Sequence, residues 1–578
     1  MLEHENRRVV GLPHFAISGL VGPSPEMPCT VVTTPLGVTS PLPGDRNRSS
    51  ALLPLGLLGA GISMVVYAGD RALEVAHAIT LGSYGLAVLG AGVALAAWRI
   101  TESRERPSFI GLTFPLLYGL YFGLSSLAWA GGQRVTGPVR VNISMSSLPP
   151  ALSLAALGLI SWLVGWMWPK RKNRLPSRST AQRSRWQAAL KVGTPTRAQV
   201  WKIYLIGISA RLGVLASGSF AYITSDLNKA VSSPNPILGV LARLDSLTTI
   251  ALLLMQLRLV ENKRDRHARR DFIVVVTIEL GFALLSGTKM GLFLRVLALA
   301  WGVKIFSGRT PWRMITALAL LLGPFLLFTN AYRDQVRSKN TTVVTATGAA
   351  SLLVPTIQRV ATETSISEVE ESLQQFFFAR FRGIDGVAIV TEKTPNDIPY
   401  ISYGRSLATV PSSLVPRFIW KNKPVYVDGL DFARQYFRQS DAVFNSLTPT
   451  VVGDLYRRGG SAVVVLGMLM LGRLARATSR GAAVGSNPRR FVLLVPFAIV
   501  LIDLESGIVL LPASLLQLAV CVYVAIILLT PEWRNDGGPG ANMASLRKEG
   551  LPVNSKVMVA QSAETSLVNP TQATPLSS

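Results

Sequence analysis

Arginine and lysine stand beside aromatic residues in several short stretches of the second half of the chain. A guanidinium group binds phosphate or pyrophosphate through two parallel hydrogen bonds and stays charged at any physiological pH. Neighbouring Tyr, Trp and Phe rings offer faces for sugars or for the membrane interface. The alternative is that these are ordinary solvated or interfacial cations. The candidate anion-binding residues are Arg333, Arg337, Arg380, Arg382, Arg405, Arg417 and Lys423, with Trp420 beside the last two.

Motifs for metal or histidine chemistry are missing from the sequence. It contains no GxxxxGK[ST] phosphate loop, no HExxH and no Cys/His cluster, and its two cysteines are Cys29 and Cys521. None of the four histidines lies between residues 332 and 459. We therefore expect no metal and no cofactor, and we expect no histidine-dependent catalyst in that segment.

Apolar runs recur along the chain and predict an integral membrane protein of the all-α class. The 578 residues are 49% hydrophobic and 16% charged, whereas soluble proteins average about 25% charged residues. Many of the runs approach the roughly 20 residues that a helix needs to cross a bilayer. About twelve transmembrane helices are predicted, at 51–68, 77–98, 109–131, 148–168, 201–224, 237–257, 272–287, 290–306, 312–331, 461–476, 490–503 and 507–530.

Basic residues are distributed unevenly between the loops, which predicts the orientation. With the N-terminus inside, the short inner loops carry 27 Lys and Arg residues and the short outer loops carry 5. This asymmetry follows the positive-inside rule of plasma membrane proteins, so the net charge of +26 does not indicate nucleic-acid binding. The predicted regions are a cytoplasmic, disordered tail at 1–50, nine spans at 51–331, a large extracytoplasmic loop at 332–459, three spans at 460–530 and a cytoplasmic, disordered tail at 531–578.

Charged residues inside the predicted spans form a second group of candidates. Arg211 lies within the fifth span, Glu279 within the seventh, and Lys289 at the turn that leads into the eighth. Charged groups at membrane depth are costly and tend to face a protein interior or a wet cavity. Arg211 either holds an anion or pairs with Glu279 or Asp503 for packing alone. Arg295, near the outer end of the eighth span, is interpreted as snorkelling to the interface.

Several short motifs together resemble the oligosaccharide repeat-unit polymerases, the O-antigen or Wzy-type family. They are the SGTK turn at Lys289, AYRDQVR after the ninth span, and LVPRFIWKNKP, GLDFARQYF and SLTPTVVGDLYRRGG in the long loop. The resemblance covers roughly residues 201–530 and is strongest between 289 and 460. The chain departs from the family pattern in having Asp454 where Glu is common and Lys289 where Arg is common.

The resemblance implies a GT-C-like fold and a metal-independent membrane glycosyltransferase at the outer face of the plasma membrane. Such an enzyme joins repeat units carried on polyprenyl (undecaprenyl) pyrophosphate and needs no nucleotide sugar. Fixed cations in a water-poor pocket would stabilise the charge on the pyrophosphate leaving group. The expected catalytic residues are Arg211, Lys289, Arg333 and Arg417, with Asp385 and Asp454 as candidates for orienting or deprotonating the acceptor hydroxyl. The expected substrate-binding residues are Arg337, Arg380, Arg382, Arg405, Trp420, Lys423 and Tyr456.

Three alternatives remain open from the sequence. An O-antigen ligase shares the fold class but relies on a histidine in the outer loop, and this loop has none. A transporter or flippase would use the buried charges to line a path and the loop as a lid. A non-catalytic assembly or length-control protein is the third. The expected partners are the lipid-linked oligosaccharide, membrane lipids, a flippase and a chain-length regulator, with no nucleic acid.

Overall fold

The computed structural model describes a little over half of the chain. The chain divides into two units, Met1–Ser50 and Ala51–Ser578, and the site described below belongs to the second. The described residues are 45–69, 73–102, 109–130, 143–168, 195–217, 236–286, 289–307, 351–363, 383–402, 428–438, 449–481, 488–505 and 507–529, with isolated positions between 316 and 348 and at 415 and 420.

Every regular element in the described ranges is a helix, and these ranges contain no strand. Between α3 and α4 the chain continues through one π-turn and one 3₁₀-turn, so the two helices form a single rod. The helices are α1 (Asp45–Ala68), α2 (Val75–Glu102), α3 (Phe109–Tyr118), α4 (Leu127–Ala130), α5 (Leu148–Met167), α6 (Arg197–Ala216), α7 (Pro236–Leu244), α8 (Ser246–Glu261), α9 (Arg266–Ser286), α10 (Lys289–Ser307), α11 (Leu353–Glu363), α12 (Gly383–Lys393), α13 (Asp428–Phe437), α14 (Thr450–Tyr456), α15 (Gly460–Gly481), α16 (Pro488–Ile502) and α17 (Leu511–Leu529).

Six helical segments in the described part of the chain are long and apolar enough to cross a membrane. The expectation of an all-α chain with several membrane-length helices is therefore confirmed. Two shorter apolar helices, Leu52–Ala68 and Phe491–Ile502, accompany the six, and most of the predicted ninth span lies outside the described residues. The six segments are Val75–Arg99, Phe109–Ala130, Met145–Met167, Val240–Glu261, Gly460–Arg480 and Leu511–Leu529.

Contacts at the helix termini define the two ends of the bundle. Helix α6 begins in a capping box, in which the Thr196 hydroxyl accepts from the Gln199 backbone N–H and the Gln199 side chain accepts from the Thr196 N–H. The Gln199 side-chain amide also donates to the Leu529 carbonyl at the end of α17, 3.2 Å away. The start of α6 and the end of α17 therefore share one end of the bundle, called here the Gln199 end. The opposite end, where α17 begins, is called the Asp454 end.

Among the described helices, the most extensive contact is between α5 and α15, and glycines make it possible. A Cβ atom at Gly165 would overlap the Leu469 carbonyl oxygen, and one at Gly472 would overlap the Trp162 carbonyl oxygen. Small residues allow membrane helices to pack backbone against backbone in this way. Trp162 is stacked on Trp166 at 5.0 Å on the same face of α5. This contact anchors α15, the helix that follows the long loop in the sequence.

Replacing Gly472 with leucine is expected to prevent α5 and α15 from packing. The added side chain meets backbone, which cannot move aside as a flexible side chain can, so we expect a destabilisation of about 3 kcal/mol, the upper end of typical overpacking costs. Gly56→Leu is the matched control, since a Cβ there has no atom within 4 Å. Size-exclusion chromatography of detergent-solubilised protein should show a loss of the monodisperse peak for Gly472→Leu only. An equal peak for both variants would contradict this packing.

Candidate functional site

Four charged side chains from neighbouring helices meet inside the bundle and form a closed network, called here the charge quartet: Arg211, Asp245, Glu279 and Arg295. Arg211 Nε donates to Asp245 Oδ1 at 2.5 Å, and Arg211 Nη1 donates to Glu279 Oε1 at 2.9 Å. Arg295 lies 3.1 Å from Glu279 Oε2 and 3.6 Å from Asp245 Oδ2. The third guanidinium nitrogen of Arg211 donates to the Thr248 hydroxyl at 2.7 Å. Each acid therefore contacts both arginines.

Burial differs between the two halves of the quartet. The side chains of Arg211 and Glu279 are 1% and 6% exposed, whereas those of Asp245 and Arg295 are 25% and 22% exposed. Two positive and two negative charges balance, and pairing of this kind is what makes ionised groups tolerable in an apolar interior. Any polar ligand that approaches the quartet meets Arg295 and Asp245 first, because Arg211 lies behind them.

The quartet lies in the half of α9 and α10 that is nearer the Asp454 end. Helix α9 ends at Ser286, seven residues beyond Glu279, which corresponds to roughly 10 Å along the helix. Helix α10 begins at Lys289, six residues before Arg295, or roughly 9 Å. The quartet therefore holds together the two helices that meet at the predicted SGTK turn. The side chain of Lys289 lies outside the described atoms, so its role stays a prediction.

The sequence anticipated part of this network. Of the two acids expected as partners for Arg211, Glu279 is the one that pairs with it, whereas Asp503 caps the N–H of Glu505 in the turn between α16 and α17. The interpretation of Arg295 as a snorkelling cation is wrong, because two carboxylates hold it within the bundle. Asp245 was missed. Its sequence signal was a lone acid inside the predicted sixth span.

A second buried carboxylate, that of Asp454, fixes the end of the long loop to the bundle. Its Oδ1 accepts from Arg457 Nε at 2.7 Å and from Arg458 Nε at 3.1 Å. Its Oδ2 accepts from the backbone N–H of Ile508 at 2.9 Å, and the Val451 N–H donates to the Leu504 carbonyl at 3.2 Å. Helix α14 is thus attached to the turn between α16 and α17.

The carboxyl group of Asp454 is fully buried, and its electrostatic environment favours the ionised form. Burial alone would raise its pKa. The charges of Arg457 and Arg458 and their hydrogen bonds outweigh burial and hold the pKa below its ordinary value. A carboxylate that is fully enclosed and bonded through both oxygens is poorly placed to take a proton from a substrate. The geometry therefore fits an anchor better than the expected acid–base role.

Helix α12 docks on the bundle at the same end. The indole N–H of Trp129, in α4, donates to Asp385 Oδ1 at 2.8 Å. The backbone N–H of Ser144, just before α5, donates to Glu392 at 3.2 Å. A Cβ atom at Gly383 would overlap the Tyr121 ring, so only glycine fits at this helix start. Asp385, the other expected acid, therefore lies at the junction between the loop and the bundle.

Helices α12, α13 and α14 also contact one another and form a unit called here the loop core. Tyr436 in α13 shares a hydrogen bond of 2.7 Å with the Thr394 hydroxyl, and its carbonyl accepts from Lys393 at 2.7 Å. The Ile401 N–H donates to the Arg457 carbonyl at 2.9 Å, which connects the segment that follows α12 to the end of α14. Tyr456 lies beside Tyr400, with ring centroids 6.3 Å apart.

Most of the expected anion-binding residues lie outside the described part of the chain, and their roles stay predictions. Trp420 is described and exposes 41% of its surface, as a ring that stacks on a sugar must. Among the described residues, no three His, Cys, Asp or Glu side chains are grouped so that they could hold a metal ion. The residues outside the described ranges are Arg333, Arg337, Arg380, Arg382, Arg405, Arg417 and Lys423.

A domain of unknown function (DUF8712) matches residues 214–484. The matched region begins within α6, shortly after Arg211, and ends just after α15. It includes Asp245, Glu279, Arg295 and Asp454, and thus most of the charge quartet and the loop core. No curated protein and no solved structure matches the chain. The functional argument therefore depends on the residues themselves.

Proposed function

We propose that this chain polymerises oligosaccharide repeat units carried on polyprenyl pyrophosphate, at the outer face of the plasma membrane, on a GT-C-like scaffold of about twelve spans. The observation that carries the proposal is the position of the charge quartet. It lies in the half of the bundle nearer the end on which the loop core is docked. Charged groups at membrane depth mark substrate or ion pathways more often than they serve packing alone.

The loop core and the quartet share one end of the helices. Asp454 binds the Ile508 N–H next to the start of α17, whereas Gln199 binds the Leu529 carbonyl at the other end of α17. Helix α6 starts at the Gln199 end and carries Arg211 near its far end. In the sequence, the segment 403–427, which contains Arg405, Arg417 and Lys423, connects two described parts of the loop, 383–402 and 428–438. This arrangement supports a site for an anionic lipid-linked substrate between the loop and the bundle.

The proposed reaction forms one glycosidic bond and breaks one bond to pyrophosphate. A hydroxyl of the incoming unit attacks the anomeric carbon of the growing chain, loses its proton, and releases polyprenyl pyrophosphate. Cations placed around that leaving group stabilise the negative charge that develops on it. Lys289, Arg333 and Arg417 are the proposed cations, with Arg380 and Lys423 assisting. Asp385 is the acid proposed to orient the acceptor or to receive its proton.

Arg211 is proposed to act through the helices it holds rather than on the pyrophosphate directly. All three of its guanidinium nitrogens already donate to Asp245, Glu279 or Thr248. A phosphate oxygen could bind only by displacing one of them. The quartet instead fixes α9 against α10 beneath Lys289, so that the proposed cation is held at a defined place.

The orientation can be measured by cysteine labelling. We expect a cysteine at Ser440 to react with a membrane-impermeant maleimide added to intact spheroplasts, because 332–459 is proposed to face outward. A cysteine at Ser184, in the basic loop before α6, should react only after the membrane is permeabilised. Both are introduced after Cys29 and Cys521 are replaced by serine and alanine, respectively. If Ser184→Cys were labelled and Ser440→Cys protected in intact spheroplasts, the orientation would be the opposite of the one proposed. The loop 332–459 would then face the cytoplasm and could not form the proposed site.

The function itself is tested by the lipid-linked pool of a strain that lacks the gene. Single repeat units on polyprenyl pyrophosphate should accumulate in the outer leaflet, where a glycosidase added to spheroplasts can reach them. A ligase would leave long polymer on the lipid. A flippase, which the charge quartet makes the second candidate, would leave single units that the added glycosidase cannot reach. Either of these outcomes would rule out the polymerase.

A further inference from the structure

A shallow cleft lies between α6, α8 and α9 at the Gln199 end, far from the charge quartet and the loop core. It is open to solvent, and its lining includes Arg197, Trp201, Arg258 and Asp271. Its floor includes the apolar side chains of α6 and α8. The cleft lies where these helices leave their apolar segments, which is the level of the membrane surface.

The charges around the cleft are unevenly paired. Arg197 Nε and Nη2 donate to the two oxygens of Asp271 at 2.6 and 2.8 Å, and the Trp201 indole donates to the same carboxylate at 3.1 Å. The Asp271 side chain is 7% exposed, and its charge is balanced by Arg197. The Arg197 side chain is 45% exposed, so part of it faces the cleft. Within the described ranges, no acid forms an ion pair with Arg258. The cleft therefore presents a net positive lining.

The turn between α8 and α9 adds to this positive field. Five exposed cations lie in this turn and in the first residues of α9, against two acids, Glu261 and Asp265. Basic pockets between transmembrane helices at the membrane surface bind the phosphate-bearing head groups of anionic lipids, and a Trp ring suits the boundary between head group and acyl chain. The five cations are Lys263, Arg264, Arg266, Arg269 and Arg270.

We propose that this cleft binds the head group of an anionic phospholipid, with Arg258 and the exposed side of Arg197 holding its phosphate and Trp201 lying beside its glycerol backbone. The apolar floor between α6 and α8 then accepts the start of an acyl chain. The Arg197–Asp271–Trp201 arrangement holds the upper wall of the cleft in place. This site does not depend on the proposed polymerase activity, because it lies at the other end of the bundle.

The test is native mass spectrometry of the purified full-length chain with equimolar phosphatidylglycerol and phosphatidylcholine. The wild type should retain phosphatidylglycerol preferentially. Arg258→Gln, which keeps much of the side-chain length, should lower that retention about five-fold, as expected for one cation at an anionic surface. Arg264→Gln is the matched control, since it removes the same charge from the turn that follows α8, outside the cleft lining, and it should have a much smaller effect. Inorganic phosphate at millimolar concentration should not displace the lipid.

Three results would overturn the proposal. Equal losses in Arg258→Gln and Arg264→Gln would show that only the diffuse charge of the surface attracts lipid. Displacement by inorganic phosphate would show a site for free phosphate. Equal retention of the two lipids by the wild type would show no anionic preference. The retention measurement is made on folded, monodisperse protein, and Arg197→Gln serves as a second variant if Arg258→Gln does not purify.

Discussion

Replacing Arg211 with alanine is expected to end polymer growth and to leave single repeat units on the lipid carrier. Among the described residues, the substitution leaves Asp245 and Glu279 with Arg295 as their one remaining cation in a largely buried setting. Removing one partner of a buried ion pair costs about 3–5 kcal/mol, because an uncompensated charge stays inside. The helices α9 and α10 would then move relative to each other beneath Lys289. Gel profiles of surface polysaccharide and chromatography of the lipid-linked pool measure the result.

A double variant separates a positioning role from direct contact with the substrate. Arg211→Met together with Glu279→Leu replaces a buried ion pair with apolar side chains of similar size, a change that is often neutral or stabilising. Because Asp245 and Arg295 remain as a balanced pair, we expect folded protein and a substantial recovery of polymer. Arg473→Ala, an exposed arginine on α15, should leave polymer unchanged. Folded double variant with no polymer would instead place the Arg211 guanidinium on the pyrophosphate.

Replacing Asp454 with alanine is expected to release the loop core from the bundle. Arg457 and Arg458 would lose their carboxylate partner while buried, and the Ile508 N–H would lose its acceptor, again at a cost of about 3–5 kcal/mol. A protease added to right-side-out membrane vesicles should then cut within 332–459, and the cells should make no polymer. Asp397→Ala removes an exposed acid of the same loop and should change neither result.

The amide variant Asp454→Asn distinguishes an anchor from a base. It keeps one oxygen that can accept from Ile508 but removes the charge that Arg457 and Arg458 neutralise. An anchor predicts that protease resistance and polymer fall together in this variant. If Asp454 is instead a catalytic base, Asp454→Asn should keep full protease resistance and make no polymer. The second pattern would return Asp454 to the acid–base role expected from the sequence.

The apolar runs predicted the helices well because a membrane helix requires a continuous stretch of apolar residues, which can be recognised directly in the sequence. Helices such as α5, predicted at 148–168 and observed as Leu148–Met167, end close to where their apolar stretch ends. The capping box at Thr196 starts α6 four residues before the predicted boundary at 201, since polar caps lie outside any hydropathy pattern. The length of an apolar run therefore cannot predict where a helix begins when a polar capping residue sets that boundary.

The site was less predictable because its contacts join residues that are distant in sequence. The sequence offered Glu279 and Asp503 as partners for Arg211, since few acids lie inside the predicted spans, and the structure pairs Arg211 with Glu279. Arg295 was misjudged because its position near a helix end suggested the interface, whereas Asp245 and Glu279 together hold it inside. For Asp454, the pairs with Arg457 and Arg458 follow helical spacing of three and four residues, whereas the contact with the backbone N–H of Ile508 has no sequence pattern.

The central claim is most directly tested by reconstituting the purified chain in liposomes with lipid-linked single repeat units extracted from the deletion strain. The account predicts a ladder of longer glycans, release of one polyprenyl pyrophosphate per bond formed, and no ladder with Arg211→Ala. Lipid-linked units that remain single in the presence of folded wild-type protein would contradict the proposal that this chain joins them.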